Sequence, residues 1–259
     1  MRKALWFLCV LALLITGCAT PAKRTDTVFQ TSTINALLAG IYDGDVTLHE
    51  VLDHGDFGLG TYNHLAGEMI LYENQFYQIE PDGRANRPDL STKTPYVTVC
   101  RFKADETFPV PNGSSMEAVK KFLDRRLPDH NLFYAIKITG IFRAMETRTI
   151  VAQKKPYPPL KEVVEHQIVF HMKDVPGTIV GFRCPEYIKG INVPDYHLHF
   201  ISEDRKRGGH VLGFVLENGR CEIDVLNRFL MVLPTGMREF AEVNLSKDRS
   251  KALKRVEQK

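Results

Sequence analysis

The C-terminal part of the chain is a succession of strand-like segments separated by pairs of turn residues. Residues 196–202, 210–216 and 221–233 are rich in β-branched and aromatic residues, and Gly208-Gly209 and Asn218-Gly219 stand between them. Such pairs between apolar segments are typical of antiparallel hairpins. This region therefore predicts paired strands, and it favours sheets that pack in two layers.

The first half of the chain mixes strands with short helices. Residues 68–72 and 75–79 predict a hairpin that turns at Glu73-Asn74, and residues 96–102 and 132–142 predict further strands. Ser114, followed three residues later by Glu117, is typical of a capping box at the start of a helix. The chain is therefore predicted to be α+β, with mixed or antiparallel sheets.

Prolines mark a boundary near the middle of the chain. Pro156, Pro158 and Pro159 favour a division into an N-terminal α/β subdomain, residues 31–159, and a C-terminal β-rich subdomain, residues 160–245. The charged residues 246–259 predict a last, exposed helix. An apolar fraction of 44% in 259 residues is enough for real hydrophobic cores.

Residues 55–61, GDFGLGT, contain three glycines. We expect a tight, irregular turn there, in which the backbone approaches a neighbouring group closely. A phosphate-binding loop would need a preceding strand and a following GK[ST] sequence, and neither is indicated.

The N-terminus has the features of an export signal. Arg2 and Lys3 precede an apolar run shorter than the about 20 residues of a membrane-spanning helix. Residues 15–18, Ile-Thr-Gly-Cys, resemble the cleavage site of bacterial lipoproteins. We therefore predict a signal peptide over residues 1–17, then a lipidated Cys18 and a flexible spacer over residues 18–30. The protein would be exported and held to the cell envelope by this anchor alone, and a simple signal peptide with an incidental cysteine is the alternative.

Charge and cysteine content restrict the function further. The formal net charge of +3 falls to +1 when Arg2 and Lys3 are cleaved off, so that no nucleic-acid partner is expected. Cys100, Cys184 and Cys221 have no spacing typical of zinc or redox motifs. We expect them to be buried, and a bridge between Cys184 and Cys221 stays open.

Three of the nine histidines lie close together in the chain. His197 and His199 are two residues apart in a predicted strand, so their side chains point to one face. A turn at Gly208-Gly209 would bring His210 onto the same face. Three neutral imidazoles leave a divalent ion with open coordination positions, which is typical of catalytic zinc. Ordinary half-exposed strand histidines are the alternative.

A cupin-like metal site is a second alternative in the same segment. His197, His199 and Glu203 have the spacing of a first cupin motif. The second motif would place a histidine after Pro234-Thr235-Gly236, where Met237 and Arg238 stand instead. Glu203 is more simply explained as part of a solvated charge cluster.

Several blocks of the sequence resemble the bacterial α-acetolactate decarboxylase family. These blocks are GLGT (58–61), LAGEMI (65–70), FRAMETRT (142–149) and the long run of residues 185–214. The resemblance implies two subdomains with mixed β-sheets and a homodimer. It implies that His197, His199 and His210 bind zinc, that Glu68 and Arg148 line the pocket with Thr61 near them, and that Glu257 is the candidate for a glutamate close to the C-terminus.

This resemblance implies decarboxylation of 2-acetolactate to acetoin and CO2. Loss of CO2 would leave an enediolate, which zinc would stabilise as a Lewis acid and which Glu68 or Glu257 would protonate. Arg148 would orient the substrate. Thr61 would bind a substrate oxygen or cap the glycine turn, and both remain open. A lipid-anchored zinc-binding protein without catalysis is the alternative from another class.

Overall fold

The computed structural model describes residues 26–258. The predicted signal peptide, Cys18 and the first part of the predicted spacer lie outside these residues. The described part confirms the α+β class, with six α-helices and fifteen strands. None of the described helices has the length and the apolar composition needed to cross a lipid bilayer.

The strands are β1 (Thr27–Thr31), β2 (Val46–Thr47), β3 (Phe57–Thr61), β4 (Glu68–Tyr72), β5 (Gln75–Ile79), β6 (Ala85–Asn86), β7 (Lys93–Thr94), β8 (Tyr96–Cys100), β9 (Glu106–Val110), β10 (Ser114–Ser115), β11 (Phe133–Thr149), β12 (Ile168–Cys184), β13 (Asp195–Ser202), β14 (Gly208–Leu226) and β15 (Arg228–Val232). The α-helices are α1 (Ile34–Leu38), α2 (Leu48–Leu52), α3 (Met116–Arg126), α4 (Leu160–Val163), α5 (Arg238–Glu242) and α6 (Ser250–Gln258). Single 3-10 turns occupy Asn63–Leu65, Val164–His166 and Glu186–Ile188.

The larger sheet has seven strands in the order β15-β1-β8-β3-β4-β5-β6. Its pairs are antiparallel except β1 with β15, which run parallel. The hairpin of β4 and β5 has the bounds that the sequence predicts. The core on one face of this sheet packs against α2 through Leu48 and Val51.

The second sheet has the order β10-β14-β11-β12-β13, with β9 added to β14. The first residues of β14 also pair with β13, so that the sheet closes on itself around a core of its own. A further apolar cluster, to which Ile70 of β4 and Phe182 of β12 both belong, lies where the two sheets meet.

The chain boundary predicted near residue 159 has no counterpart in the sheets. Strands β9, β10 and β11 precede it but belong to the second sheet, whereas β15 follows it and belongs to the first. Residues 27–30 of the predicted spacer also form most of β1, a buried strand between β15 and β8. Sequence-local signals miss these assignments because pairing partners lie far apart along the chain.

Two predicted turns lie inside a strand. Gly208-Gly209 and Asn218-Gly219 belong to the continuous strand β14, and the chain reverses before it, over residues 203–207. Asn218 lies beside an irregularity in the pairing with β11, between Ile141 and Phe142. The strand absorbs its turn-forming residues there as a bulge.

Residues 57–61 form strand β3, which corrects the expected irregular turn. A Cβ atom on Gly58 would lie 2.2 Å from the carbonyl oxygen of Thr98, and one on Gly60 would lie 2.4 Å from that of Tyr96. The glycines are therefore required because β8 passes too close for any side chain. The expected close approach is present, within a regular strand.

Two helix predictions need correction. The N-cap of α3 is Ser115, whose side chain accepts a hydrogen bond from the amide of Ala118, and not Ser114. Helix α6 is not simply exposed, because Leu253 and Val256 are buried against α4 and α1 in one apolar cluster. The cysteines Cys100, Cys184 and Cys221 are buried, as predicted, and are free thiols.

We predict that Gly58→Ala lowers the free energy of unfolding by about 2–3 kcal/mol, because the added methyl group displaces the backbone of β8. Gly213→Ala is the matched control, since no atom lies within 4 Å of its added Cβ. The control should change stability by less than about 1 kcal/mol. Urea denaturation of both variants tests this, and equal stabilities would contradict the packing account.

Candidate active site

The three histidines lie side by side where β13, β14 and β11 meet. His199 pairs with His210 across β13 and β14, and His210 also pairs with Arg148 across β14 and β11. His197 precedes His199 by two residues, so that both side chains point to the same face. The predicted convergence on one face is therefore present, although the turn that produces it lies a few residues earlier.

The geometry of the three rings fits one metal ion. The ring centroids are 5.1 Å (His197 to His199), 5.1 Å (His197 to His210) and 5.3 Å (His199 to His210) apart. One ligand atom from each ring lies within 4.8 Å of the others. Three imidazoles bound tetrahedrally at about 2.0–2.1 Å would have their ring centres about 5 Å apart. The rings thus stand at the spacing that an ion between them requires.

All three rings are held neutral. Burial lowers the pKa of His197 to about 3, and burial also lowers the pKa values of His199 and His210 well below the ordinary value, with Arg148 acting in the same direction. Nδ1 of His199 donates to the carbonyl oxygen of Met69 at 2.8 Å, which leaves the lone pair on Nε2. That Nε2 is buried and has no hydrogen-bond partner. Buried polar atoms normally have a partner, and a metal ion would supply one to this nitrogen.

Glu68 and Arg148 form a buried ion pair beside the histidines. Nη1 of Arg148 donates to Oε1 of Glu68 at 2.6 Å, and the two side chains are 4% and 8% exposed. Oε2 of Glu68 lies 3.6 Å from Nε2 of His199. Glu68 comes from β4 of the first sheet and Arg148 from β11 of the second, so that the pair joins the two sheets at the site.

Glu257 reaches the same site from α6. Its Oε2 lies 3.8 Å from Nε2 of His197 and 3.9 Å from Nε2 of His210. Leu253 and Val256 anchor the helix in the apolar cluster behind it, and Nη2 of Arg148 donates to the carbonyl oxygen of Val256 at 3.3 Å. The C-terminal glutamate that the sequence leaves without a firm register is therefore part of the site.

Both carboxyl groups are poised to exchange a proton near neutral pH. Burial raises the pKa of Glu68 to about 7, where Arg148 opposes and Glu257 reinforces the shift. Burial also raises the pKa of Glu257 to about 7, against Arg148 and Lys120. Each carboxyl group can bind a cation when it is ionised and can donate a proton when it is protonated.

The net charge of the site favours the binding of a cation. With both acids ionised, two carboxylates face one guanidinium and three neutral rings, which leaves one negative charge in a buried place. A divalent ion would change this to one positive charge and would allow a monoanionic ligand to bind. Buried charge of this kind is costly unless it is paired.

Thr61 lies in the pocket but its hydroxyl proton is already committed. Oγ1 of Thr61 donates to the carbonyl oxygen of Gly67 at 2.8 Å. Thr61 also pairs with Glu68 across β3 and β4, which places it against the acid. The glycine turn that Thr61 was expected to cap is strand β3, and the hydroxyl instead donates to the segment before β4, so that its oxygen can only accept a further hydrogen bond.

The remaining walls of the pocket are mostly apolar, and the sequence gives no local signal for them. They come from distant segments: Ile34, Leu37, Leu65, Tyr96, Ile150, Leu160 and Val256. The cavity enclosed with the charged groups measures about 40 Å³. It therefore leaves room only for a few water molecules or a small ligand.

Glu203 is not part of this site. It lies exposed in the turn between β13 and β14, and its backbone amide donates to the carbonyl oxygen of Pro176. It is absent from the residues that line the pocket. The cupin-like ligand set of His197, His199 and Glu203 is therefore contradicted by the placement of its third member.

Comparison with known proteins is consistent with this site. A sequence profile of the family described as "Alpha-acetolactate decarboxylase" matches residues 28–247. The alpha-acetolactate decarboxylase of Methanosarcina mazei is 44% identical over 235 residues, which are 91% of this chain and 81% of that protein. That of Bacillus subtilis strain 168 is 42% identical over 206 residues, 80% of each chain.

Solved structures agree with these sequence matches. The crystal structure of alpha-acetolactate decarboxylase from Bacillus subtilis strain 168 superimposes with a TM-score of 0.87 at 39% identity, covering 90% of this chain and 100% of the other. A Staphylococcus aureus protein of unknown function, similar to alpha-acetolactate decarboxylase, superimposes with a TM-score of 0.83 at 30% identity, covering 89% of this chain and 98% of the other. Glu257 lies beyond the residues that the family profile matches, so that its place in the site rests on the geometry above.

We predict that His199→Ala lowers the affinity for zinc at least about 100-fold, because it removes a buried ligand without a substitute. Competition with a chromophoric chelator measures this affinity. His171→Ala, at a side chain that is 73% exposed, is the matched control and should bind zinc as the unmodified protein does. Glu203→Ala should also bind normally, and a loss of zinc in that variant would restore the cupin-like alternative.

Proposed function

The chain belongs to the alpha-acetolactate decarboxylase family, and from this premise we propose that it converts 2-acetolactate into acetoin and CO2 with the help of a zinc ion. The observation that carries the proposal is the convergence of three neutral imidazoles beside a buried arginine, the buried Glu68 and the partly buried Glu257. The reaction needs an electron sink, a group that orients a carboxylate and a proton donor. Each of these has a candidate among the residues of the site.

The three histidines are the proposed zinc ligands, and the carboxyl groups of Glu68 and Glu257 lie beside them. When bound, zinc supplies a Lewis acid that stabilises negative charge developing on the oxygens of the substrate. Three neutral nitrogens leave the full charge of the ion available for this purpose. A non-catalytic zinc protein would close the ion off with its own atoms, whereas here a cavity adjoins the histidines.

Arg148 is the proposed group that orients the substrate. Its Nη1 and Nη2 donate to Glu68 and to Val256, whereas its Nε is buried without a hydrogen-bond partner. That Nε–H is available to a substrate oxygen, and the two existing bonds hold the guanidinium plane in place. The substrate anion is attracted by the net positive charge of the loaded site.

Loss of CO2 leaves an enediolate that must take a proton on carbon. We assign the donor to Glu257. Glu68 is tied to Arg148 by a hydrogen bond of 2.6 Å, which favours its ionised form. Oε2 of Glu257 lies 3.8 Å and 3.9 Å from imidazole nitrogens, and Arg148 and Lys120 act on this carboxylate without the 2.6 Å hydrogen bond that Arg148 donates to Glu68, so that Glu257 takes up a proton at the smaller electrostatic cost. Glu68 then serves to hold Arg148 and to adjust the charge around the ion.

The apolar walls complete the mechanism by excluding water. Leu65, Ile150 and Leu160 line the same cavity as the two carboxyl groups and offer no side-chain hydrogen bond to them. A proton from a fixed carboxyl group then reaches the intermediate from one side, and a single enantiomer of acetoin results. Protonation by solvent would give both enantiomers.

We predict that Glu257→Gln lowers kcat about 10²- to 10⁴-fold, because the general acid is lost. The acetoin that still forms should have a lower enantiomeric excess than that of the unmodified enzyme, as chiral gas chromatography measures. Elemental analysis is the control, since bound zinc should be retained through the three histidines. Full activity with unchanged enantiomeric excess would transfer the role of donor to Glu68.

The lipid anchor and the homodimer remain proposals from the sequence. The anchor depends on Cys18, which lies outside the described residues, and it would place this domain on the outer side of a membrane behind a short polar spacer. The homodimer is implied by the family resemblance alone.

We predict that Cys18→Ser releases the protein from the membrane fraction, because the thiol that receives the lipid is gone. Labelling of expressing bacteria with radioactive palmitate should mark the unmodified protein and not the variant. Acetoin formation should be equal in both. A soluble, unlabelled Cys18 protein would show that the cysteine is incidental.

A further inference from the structure

A cleft beside α6, which we call the α6 cleft, leads to the site and is not explained by the chemistry above. One of its walls is the face of α6 that carries Ser250, Leu253, Lys254 and Glu257. Lys120 and residues 193–196 lie among the other lining residues. The cleft measures about 400 Å³, whereas the cavity at the histidines measures about 40 Å³. Glu257 is the residue that lines both.

Exposure within the site is highest at Glu257, which lines the cleft, and at the neighbouring His197. The side chains of His197 and Glu257 are 11% and 13% exposed, whereas those of His199 and His210 are 1% and 3% exposed. Strand β13 runs in the same direction, from Asp195 and Tyr196 in the wall of the cleft to His197 and His199 in the site. Solvent therefore reaches the site from the side of Glu257.

The charges of the cleft suit a small anion. Three lysines line it, Lys120, Lys189 and Lys254, against the acids Glu186 and Asp195 and Glu257 at its inner end. Lys120 and Lys189 have ion-pair partners outside the lining, Glu117 at 3.6 Å and Asp248 at 3.8 Å. Lys254 is exposed on α6 and forms no ion pair with another residue of the described chain.

A second depression also adjoins the site, next to Ile150. It measures about 260 Å³, and it is bordered by Glu162 and His166 with no lysine or arginine. It shares only the buried, apolar side chain of Ile150 with the site. An anion entering there would meet an acid first and would then have to pass an apolar barrier.

We propose that the α6 cleft is the path by which a small carboxylate anion enters the site, with Glu257 at its inner end and lysines along its walls. The proposal rests on the proposed function, because the substrate of that reaction is such an anion. It assigns to Lys254 and its neighbours the task of attracting the anion, and it assigns none of the chemistry to them. The depression at Ile150 is assigned no part in entry.

Blocking each opening with a bulky group tests the path. Lys254→Cys places a thiol in the α6 cleft, and Glu162→Cys places a matched thiol in the depression at Ile150. Cys100, Cys184 and Cys221 are buried, and unmodified enzyme treated with the same maleimide corrects for any labelling elsewhere. After labelling, the Lys254→Cys enzyme should lose acetoin formation, and the Glu162→Cys enzyme should keep it. Activity retained by the first, or lost by the second, would overturn the proposal.

A second measurement does not depend on turnover. The rate at which dipicolinate, a small dianionic chelator, removes the bound divalent ion reports access to the histidines directly. The label at position 254 should slow this removal, and the label at position 162 should not. If the protein bound zinc but made no acetoin, the proposed function would fail, and this rate would still decide the path. Ser250→Cys is the second site in the cleft should Lys254→Cys fold poorly.

The lysines can be tested without labelling. Lys254→Ala should lower kcat/KM about 2- to 5-fold at low ionic strength, because a cation that attracts the substrate is lost, and the difference should shrink as salt is added. The kcat value should stay unchanged, since Lys254 lies outside the catalytic groups. Lys251→Ala, an exposed lysine of the same helix that does not line the cleft, is the matched control. Equal effects of the two variants, or a salt-independent loss, would overturn the assigned role.

Discussion

The buried ion pair between Arg148 and Glu68 is the interaction on which the site depends. Arg148 belongs to one sheet and Glu68 to the other, and their charged atoms meet at 2.6 Å with almost no exposure to solvent. Because either charge alone would be costly to bury, the two charges must stay together, and the pair links the two sheets where they meet. His210 lies opposite Arg148, and Thr61 lies opposite Glu68, so that each partner also positions a neighbour across its own sheet.

The charge of the site follows from the same pair. Arg148 compensates one carboxylate, and a second carboxylate on α6 leaves an excess that a divalent ion between the imidazoles would reverse. A small keto-acid anion is then attracted to the loaded site. Burial thus serves both metal binding and proton transfer. It keeps the histidines neutral, as metal ligands must be, and it raises the pKa values of the two carboxyl groups toward neutral pH.

Those features of the site that depend on neighbouring residues in the chain can be predicted from the sequence. His197 and His199 share a face because of the two-residue period of a strand, and His210 follows a short connection, so that their convergence could be predicted without a structure. Glu68 and Arg148 can be identified as site residues only through the family resemblance, because 80 residues separate them and no local pattern links them. Glu257 could be named but not placed, since its position depends on the docking of α6 through Leu253 and Val256.

The errors in the predicted fold have a common physical origin. The sequence predicts an irregular turn at residues 55–61 and a hairpin turn at residues 218–219, whereas β3 spans Phe57–Thr61 and β14 runs through residues 218–219. Gly58 and Gly60 are needed because the backbone of β8 passes close by, and Asn218 and Gly219 lie beside a bulge. The boundary predicted at residue 159 likewise does not coincide with a boundary between the sheets, because β15 returns to the first sheet from the far end of the chain. In each of these segments, pairing with a strand that is distant in the chain determines the structure, and local residue propensities do not reveal such pairing.

The central claim is that a single ion, held by three imidazoles, makes the decarboxylation proceed. The most direct measurement is acetoin formation by metal-stripped enzyme as zinc is added back in known amounts. The account predicts no turnover at the start and a rise that stops at one zinc per chain. Turnover that survives complete removal of the ion would contradict it.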